Sequence, residues 1–120
     1  MKIESYIYEK LKFYSQFRSQ PYGESLFLTA LQDDFLGYGD WHSVSKNGIT
    51  EYAVLVDKRF TNLYLFCVHT DRVLIKGQSV INTIWSDGEF VSGQLDNILG
   101  IAIVRCLIYL GYPISIIFTT

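Results

Sequence analysis

Apolar residues recur every three to four positions at the start of the chain, which is the spacing of one face of an α-helix. The residues on that face are Ile3, Tyr6, Ile7, Leu11, Tyr14 and Phe17, and the opposite face carries Glu4, Glu9, Lys12 and Gln16. Pro21 and Gly23 follow, and both residue types favour the end of a helix. The pattern predicts an amphipathic helix over residues 3 to 18.

The next segment, residues 24 to 36, fits two secondary structures. Its first half, SLFLTAL, has the apolar character of a strand, but the whole segment also has apolar residues on one side of a helix. Those residues are Leu26, Phe27, Ala30, Leu31 and Phe35. We favour a strand for the first half and leave the helix open as the alternative.

Strand patterns dominate from residue 41 onward. The runs WHSVSK and ITEYAVLVD flank Asn47-Gly48, a dipeptide that favours the tight turn of a β-hairpin. The apolar runs LYLFCVHT and VLIKG follow, and then SVINTIW and EFVSG flank a second turn sequence, SDG. Consecutive strands joined by short turns predict an antiparallel meander.

Residues 94 to 110 are apolar almost all round, which predicts a helix that is largely buried across the sheet. We expect four of its residues to lie against the sheet: Ile98, Ala102, Leu107 and Leu110. Gly111 is well placed as the C-terminal cap, and ISIIFTT then has the character of a strand.

These elements predict a single α+β domain over residues 1 to 120. It has an N-terminal amphipathic helix, an antiparallel meander sheet of about five to six strands, a buried C-terminal helix and a final strand. The composition agrees, because 49% of the residues are hydrophobic and only 18% are charged, which excludes a disordered chain. The net charge of −2 disfavours a nucleic-acid-binding protein with a dominant basic face.

Residues 98 to 118 form an apolar run about as long as the ~20 residues of a membrane-spanning helix. Arg105 falls near the middle of the run, and Gly111 and Pro113 break it. A buried helix followed by a core strand is therefore the preferred interpretation, without a membrane. The chain opens on MKIESYIYEKLKF, which lacks the basic-then-apolar pattern of a signal peptide, so we expect a cytoplasmic protein.

The two cysteines, Cys67 and Cys106, lie in apolar runs without metal-binding spacing, which predicts two buried, reduced and slowly reacting thiols. Cys67 and His69 would point the same way on a strand. Asp40 or His42 could complete a Cys-His-Asp arrangement if the two strands were neighbours. The alternation of Cys67 with Leu63 and Leu65 instead favours a core-facing Cys67, so no catalytic residue is predicted.

The segment QDDFLGYGDWHS combines acidic and aromatic residues in a stretch without lysine or arginine. It contains no recognised spacing of metal ligands, and its glycines are not followed by the lysine of a phosphate-binding loop. We therefore predict neither a metal nor another cofactor. Aromatic side chains with flanking carboxylates are instead typical of a surface that binds a basic protein. The predicted partner-binding residues are Asp33, Asp34, Phe35, Tyr38, Asp40, Trp41 and His42.

The leading functional hypothesis is a small binding protein that neutralises another macromolecule, such as an immunity-type or phage-type inhibitor of a basic toxin or nuclease, and not an enzyme. The alternative is a small-molecule-binding domain or small enzyme with a pocket between the sheet and the C-terminal helix. A homodimer is also left open.

Overall fold

The structure is a computed structural model, and it describes residues 2–17, 25–46, 49–56, 64–70, 85–88, 90–92, 95 and 97–119. Its elements along the chain are α1 (Ile3–Tyr14), α2 (Ser25–Asp34), β1 (Asp40–Lys46), β2 (Ile49–Val56), β3 (Tyr64–His69), β4 (Trp85–Ser86), β5 (Val91–Ser92), α3 (Ile98–Tyr109) and β6 (Ile114–Thr119). The helices and the mixed sheet confirm the α+β class.

Helix α1 confirms the predicted N-terminal amphipathic helix. It buries Tyr6, Leu11 and Tyr14 on one side. The helix ends at Tyr14, about two turns before Pro21, and the Ser15 hydroxyl donates a hydrogen bond to the Lys12 carbonyl at 2.8 Å. The predicted extension to residue 18 is therefore too long by one turn.

Helix α2 corrects the preference for a strand in the first half of residues 24 to 36. Phe27 and Leu28 are adjacent in the sequence and both are buried, together with Leu31 and Phe35. A strand would place neighbouring side chains on opposite faces, whereas a helix brings these four to one side. The helical alternative is the correct one.

The four-stranded sheet has the order β1-β2-β6-β3, which corrects the predicted meander of five to six strands. Strands β1 and β2 form the expected antiparallel hairpin, although its turn residues Asn47 and Gly48 lie outside the described residues. The last strand, β6, then inserts between β2 and β3, antiparallel to β2 and parallel to β3. A parallel pair needs a crossover connection, and α3 lies within the chain that joins β3 to β6.

Strands β4 and β5 form a separate antiparallel pair around the predicted SDG turn. Gly88 has a φ of 98° there, and the Phe90 N–H donates to the Asp87 carboxylate at 2.8 Å. The turn prediction is correct, but this pair does not extend the main sheet. The predicted strand VLIKG lies outside the described residues.

Helix α3 confirms the predicted buried helix. Ile98 and Ala102 are fully buried, and Leu107 is half-buried. Leu110 is 45% exposed because the helix ends there, which corrects the prediction that Leu110 lies against the sheet. Gly111, at a φ of 90°, donates to the Ile108 carbonyl, and Tyr112 donates to the Leu107 carbonyl, which is the predicted glycine cap. None of the helices in the described ranges has the length and apolarity needed to cross a bilayer.

The two faces of the sheet differ in burial. One face contributes Leu55, Val68, Ile116 and Phe118 to the core that the helices cover. On the opposite face, Leu65 is 57% exposed and Cys67 is also exposed, which corrects the prediction of a core-facing Cys67. The alternation in β3 was recognised, but its two faces were assigned the wrong way round.

Candidate functional site

The adjacent residues Asp33 and Asp34 occupy different environments at the end of α2. Asp33 is exposed, whereas only 12% of the Asp34 side chain is accessible. The Asp34 carboxylate pairs with the Lys10 ammonium, accepts a hydrogen bond from the Tyr14 hydroxyl at 2.6 Å, and lies 3.3 Å from Arg105 Nε. Asp34 therefore joins α1, α2 and α3 inside the protein.

Arg105 is the charge in the middle of the apolar helix, and aromatic rings surround it. Its guanidinium carbon lies 4.6 Å from the centre of the Tyr38 ring and 5.4 Å from that of Phe35. The ring of Tyr6 lies 5.9 Å away and stacks on Tyr109 with the centroids 4.2 Å apart. Aromatic faces and one carboxylate thus replace the water that this cation loses on burial.

Two of the tyrosines near Arg105 and Asp34, Tyr6 and Tyr14, have higher pKa values than exposed tyrosines. Burial is the main cause for both, because a phenolate is costly to form away from water. Burial and the nearby Asp34 carboxylate raise the pKa of Tyr6 to about 12, although Arg105 opposes the shift. Burial, together with the charge and hydrogen bond of Asp34, also raises the pKa of Tyr14. Both hydroxyls therefore remain neutral at physiological pH, and that of Tyr14 donates to Asp34.

The aromatic residues of the predicted partner-binding loop belong largely to the interior. Phe35 is only 2% exposed and lies in the core. Trp41 is half-buried and stacks on Phe118 with the centroids 5.3 Å apart, and Tyr38 is half-buried over Arg105. The residues that remain on the surface are Asp33, Asp40 and His42.

A second group of polar residues lies where the parallel strands β3 and β6 end and α3 begins. His69 and Thr119 are register partners, and the Thr119 hydroxyl lies 3.1 Å from His69 Nδ1. Asn97 directly precedes α3 and donates from its side chain to the His69 carbonyl at 3.2 Å. The Thr70 N–H and hydroxyl both donate to the Thr119 carbonyl, at 2.8 and 3.1 Å. We call these four residues the carboxyl-edge cluster.

This position has chemical significance because ligands of open α/β sheets bind beyond the carboxyl ends of the parallel strands. An imidazole there is suited to general-base chemistry or to metal binding. Two acids adjoin the cluster in the sequence: Asp71 follows Thr70, and Asp96 precedes Asn97. Both acids lie outside the described residues, and among the described residues no three metal-ligating side chains come together.

The strand order excludes the Cys-His-Asp arrangement that was considered for Cys67, His69 and Asp40 or His42. Strands β1 and β3 are the two outer strands of the four-stranded sheet. One row of register partners crosses all four strands and consists of His42, Val54, Ile117 and Cys67. At the usual spacing between strands, the two ends of this row lie about 14 Å apart. A side chain of β1 therefore cannot orient His69.

Sequence reasoning missed the carboxyl-edge cluster apart from His69. The signal that could have revealed it was the repeated pattern of an apolar run ending in threonine, in LYLFCVHT and ISIIFTT. If these runs are recognised as parallel strands flanking a helix, their ends and the start of the helix must meet at one edge. Because an antiparallel meander was predicted, the two runs were not recognised as neighbouring parallel strands.

Comparison with known proteins gives a fold and no family. Neither the protein-family models nor the curated proteins yield a match. Among solved structures, a tripeptidase from Staphylococcus aureus subsp. aureus Mu50 superposes with a TM-score of 0.70 at 16% sequence identity. The match covers 98% of this chain and 36% of that chain, so this chain spans about a third of the tripeptidase. At this identity the likeness establishes the fold alone.

Proposed function

We propose that this chain forms part of a cytoplasmic peptide-hydrolysing protein whose reaction site includes the carboxyl-edge cluster. The observation that carries the proposal is the superposition of 98% of the chain on a tripeptidase with a TM-score of 0.70. The position of His69 gives independent support, because the fold brings it to the edge at which such sheets bind their ligands.

The chemistry of peptide hydrolysis fits the residue types at this edge. A water molecule must be activated for attack on a carbonyl carbon, and an imidazole or carboxylate can accept its proton. Histidine and aspartate are also ligands that Zn²⁺ prefers, and a bound Zn²⁺ lowers the pKa of water. In this proposal His69 contributes a ring nitrogen. Thr119 fixes the imidazole ring through Nδ1.

The test measures Zn²⁺ binding and tripeptide hydrolysis by the purified chain. We expect the wild-type chain to bind about one Zn²⁺ in a calorimetric titration, and His69→Ala to weaken binding at least tenfold, as loss of a ligand does. His42→Ala is the matched control, because His42 is also exposed but lies on the opposite outer strand.

Hydrolysis of an unblocked tripeptide by the Zn²⁺-loaded chain is the second readout, and His69→Ala should abolish it. Equal Zn²⁺ binding by wild type, His69→Ala and His42→Ala, with no release of amino acids by any of them, would refute the proposal.

The inhibitor hypothesis remains a second proposal, in which the chain acts as an immunity-type protein that neutralises a basic toxin or nuclease. It is favoured by the exposure of Asp33, Asp40 and His42 in a part of the sequence without lysine or arginine. Exposed charges mainly accelerate association with an oppositely charged partner. The Asp33→Asn/Asp40→Asn double variant should therefore bind a captured basic partner more slowly, with a flatter salt dependence. Unchanged association at low salt would count against it.

A further inference from the structure

An open groove of about 540 Å³ runs between α1 and α2, within the range of volumes that ligand sites commonly have. Its lining residues are Phe13, Phe17, Thr29, Ala30, Asp33 and Asp34. We call it the α1–α2 groove. It is largely apolar, with the rings of Phe13 in α1 and Phe17 just after α1 on one side and the acidic end of α2 on the other.

Only one of the two carboxylates of the groove is left for an external ligand. Asp34 is held by Lys10 and Tyr14. Asp33 is exposed, and its carboxylate forms no ion pair or hydrogen bond within the part of the chain that the structure describes. The groove therefore presents a single unneutralised negative charge beside an apolar wall.

A second recess adjoins Asp33 on its other side. It has a volume of about 180 Å³ and is lined by Gln32, Asp33, Phe35, Leu36, Gly37, Gly39, Trp41 and Leu55. We call it the Trp41 recess. Its rim carries Leu36, whose side chain is 79% exposed, an unusual degree of exposure for a leucine. Asp33 thus lies between the α1–α2 groove and the Trp41 recess.

The protein already contains one example of an ammonium bound in this environment. The Lys10 ammonium contacts the Asp34 carboxylate and lies 5.9 Å from the centre of the Phe13 ring. A carboxylate beside an aromatic face attracts a cation through both its charge and the ring quadrupole. Asp33 and the Phe13–Phe17 wall offer the same combination toward solvent.

We propose that the α1–α2 groove and the Trp41 recess together bind a peptide segment in which a lysine side chain stands between two apolar side chains. The lysine ammonium pairs with Asp33, one apolar side chain enters the groove beside Phe13 and Phe17, and the other enters the recess beside Leu36. The occupant is a peptide because two separate apolar cavities flank one charge, and every second side chain of an extended peptide lies on the same face. Charge complementarity selects the lysine, since no lysine or arginine occurs between Arg18 and Lys46.

This binding surface is independent of the proposed hydrolysis. Trp41 pairs with Leu55, which pairs with Ile116, whereas the carboxyl-edge cluster lies at Thr119. Three residues of a strand separate these positions by about 10 Å along β6. A variant of the groove should therefore change peptide binding without changing Zn²⁺ binding at His69.

The test uses a fluorescein-labelled pentapeptide with lysine at its centre, leucine and phenylalanine at its two ends, alanine at the positions between them, and both termini blocked, so that the three larger side chains share one face of an extended chain. We expect saturable binding by fluorescence anisotropy at low salt. Asp33→Asn should weaken it by about tenfold, as for the loss of a charged contact. Glu4→Gln removes the same charge from an exposed position on α1 and should leave the affinity unchanged.

Two further comparisons distinguish specific binding in the groove from nonspecific electrostatic attraction. Thr29→Trp places a large side chain into the groove from an exposed position, so binding should be lost while the melting temperature is retained. Peptides with glutamate in place of lysine, or alanine in place of both apolar residues, should not bind. Equal loss of affinity in Asp33→Asn and Glu4→Gln, or equal binding of the glutamate peptide, would overturn the proposal.

Discussion

Asp33 and Asp34 have the same side chain but different roles in the structure. One turn of a helix holds 3.6 residues, so consecutive side chains point about 100° apart. That angle turns Asp34 toward Lys10, Tyr14 and Arg105 and leaves Asp33 in solvent. The sequence predicted an acidic surface at this point, and the structure divides it into a buried link and an exposed charge.

Replacing Asp34 should destabilise the protein far more than replacing Asp33. Asp34→Asn leaves Arg105 and Lys10 without their counter-charge in a partly dry environment, which typically costs about 3 kcal/mol. Asp33→Asn should change the free energy of unfolding by no more than about 0.5 kcal/mol, as surface substitutions usually do. Urea denaturation at pH 7 measures both values. Equal midpoints for the two variants would show that the Asp34 contacts do not stabilise the fold.

The buried charge could have been anticipated in part from the sequence. Arg105 stood out as a cation in the middle of an apolar helix, and such a residue needs an acidic or aromatic partner when it is buried. Its partner could not be identified, because Asp34 is 71 positions away and periodicity carries no information on tertiary pairing. The partner became evident only when α1, α2 and α3 were placed together.

The secondary elements were predicted more accurately than their arrangement. Helices α1 and α3 follow from an amphipathic period and from a long apolar run, which are local signals. Strand β6 was also recognised, but its alternation fits the edge or the centre of a sheet equally well. Its insertion between β2 and β3 depends on α3 covering the sheet, which is a long-range effect. The carboxyl-edge cluster was missed for the same reason.

The two cysteines lie on elements with different burial and should react at different rates. Cys67 is exposed on the open face of β3, whereas Cys106 is buried in α3. Burial raises the pKa of the Cys106 thiol, although Arg105 opposes the shift, so less of the reactive thiolate forms. With a thiol reagent at pH 8, we expect one fast equivalent from Cys67 and a second only after denaturation.

A Cys67→Ser variant serves as the control for this labelling experiment. It should lose the fast phase and keep the slow one, whereas Cys106→Ser should do the reverse. Two slow thiols in the wild-type protein would mean that the open face of β3 is covered in solution.

The apolar residues of the molecule are distributed according to how the two faces of the sheet are covered. Helices cover one face, and the opposite face exposes apolar residues such as Leu65 and Val56. Most of the aromatic side chains whose burial the structure describes are buried or half-buried. Phe17 stacks on Phe27, and Phe35 meets Phe118 edge to face, in addition to the pairs of Tyr6 and Trp41. From the composition, part of this aromatic content was expected at a binding surface, and the rings of these pairs instead pack against one another.

The buried tyrosines should make the whole fold sensitive to alkaline pH. The pKa of Tyr6 is raised by burial to about 12, above its unfolded value of 10.0, and the pKa of Tyr14 is raised as well. Below pH 10 both states hold these protons, so the free energy of unfolding does not depend on them. Between pH 10 and 12 the unfolded state releases them first, and stability falls as the pH rises, by roughly 1 kcal/mol per pH unit from Tyr6 alone.

Urea midpoints at pH 9, 10 and 11 measure this loss, and Tyr6→Phe tests its origin. The Tyr6 hydroxyl is buried without a hydrogen-bond partner among the described residues, so Tyr6→Phe should preserve stability at pH 9. At pH 11 the variant should be more stable than wild type, because its ring cannot ionise in the unfolded state. Tyr64→Phe is the matched control, since the Tyr64 ring is 68% exposed and its replacement should leave the alkaline loss unchanged. If Tyr6→Phe and Tyr64→Phe lose stability in parallel with wild type, the alkaline transition has another source.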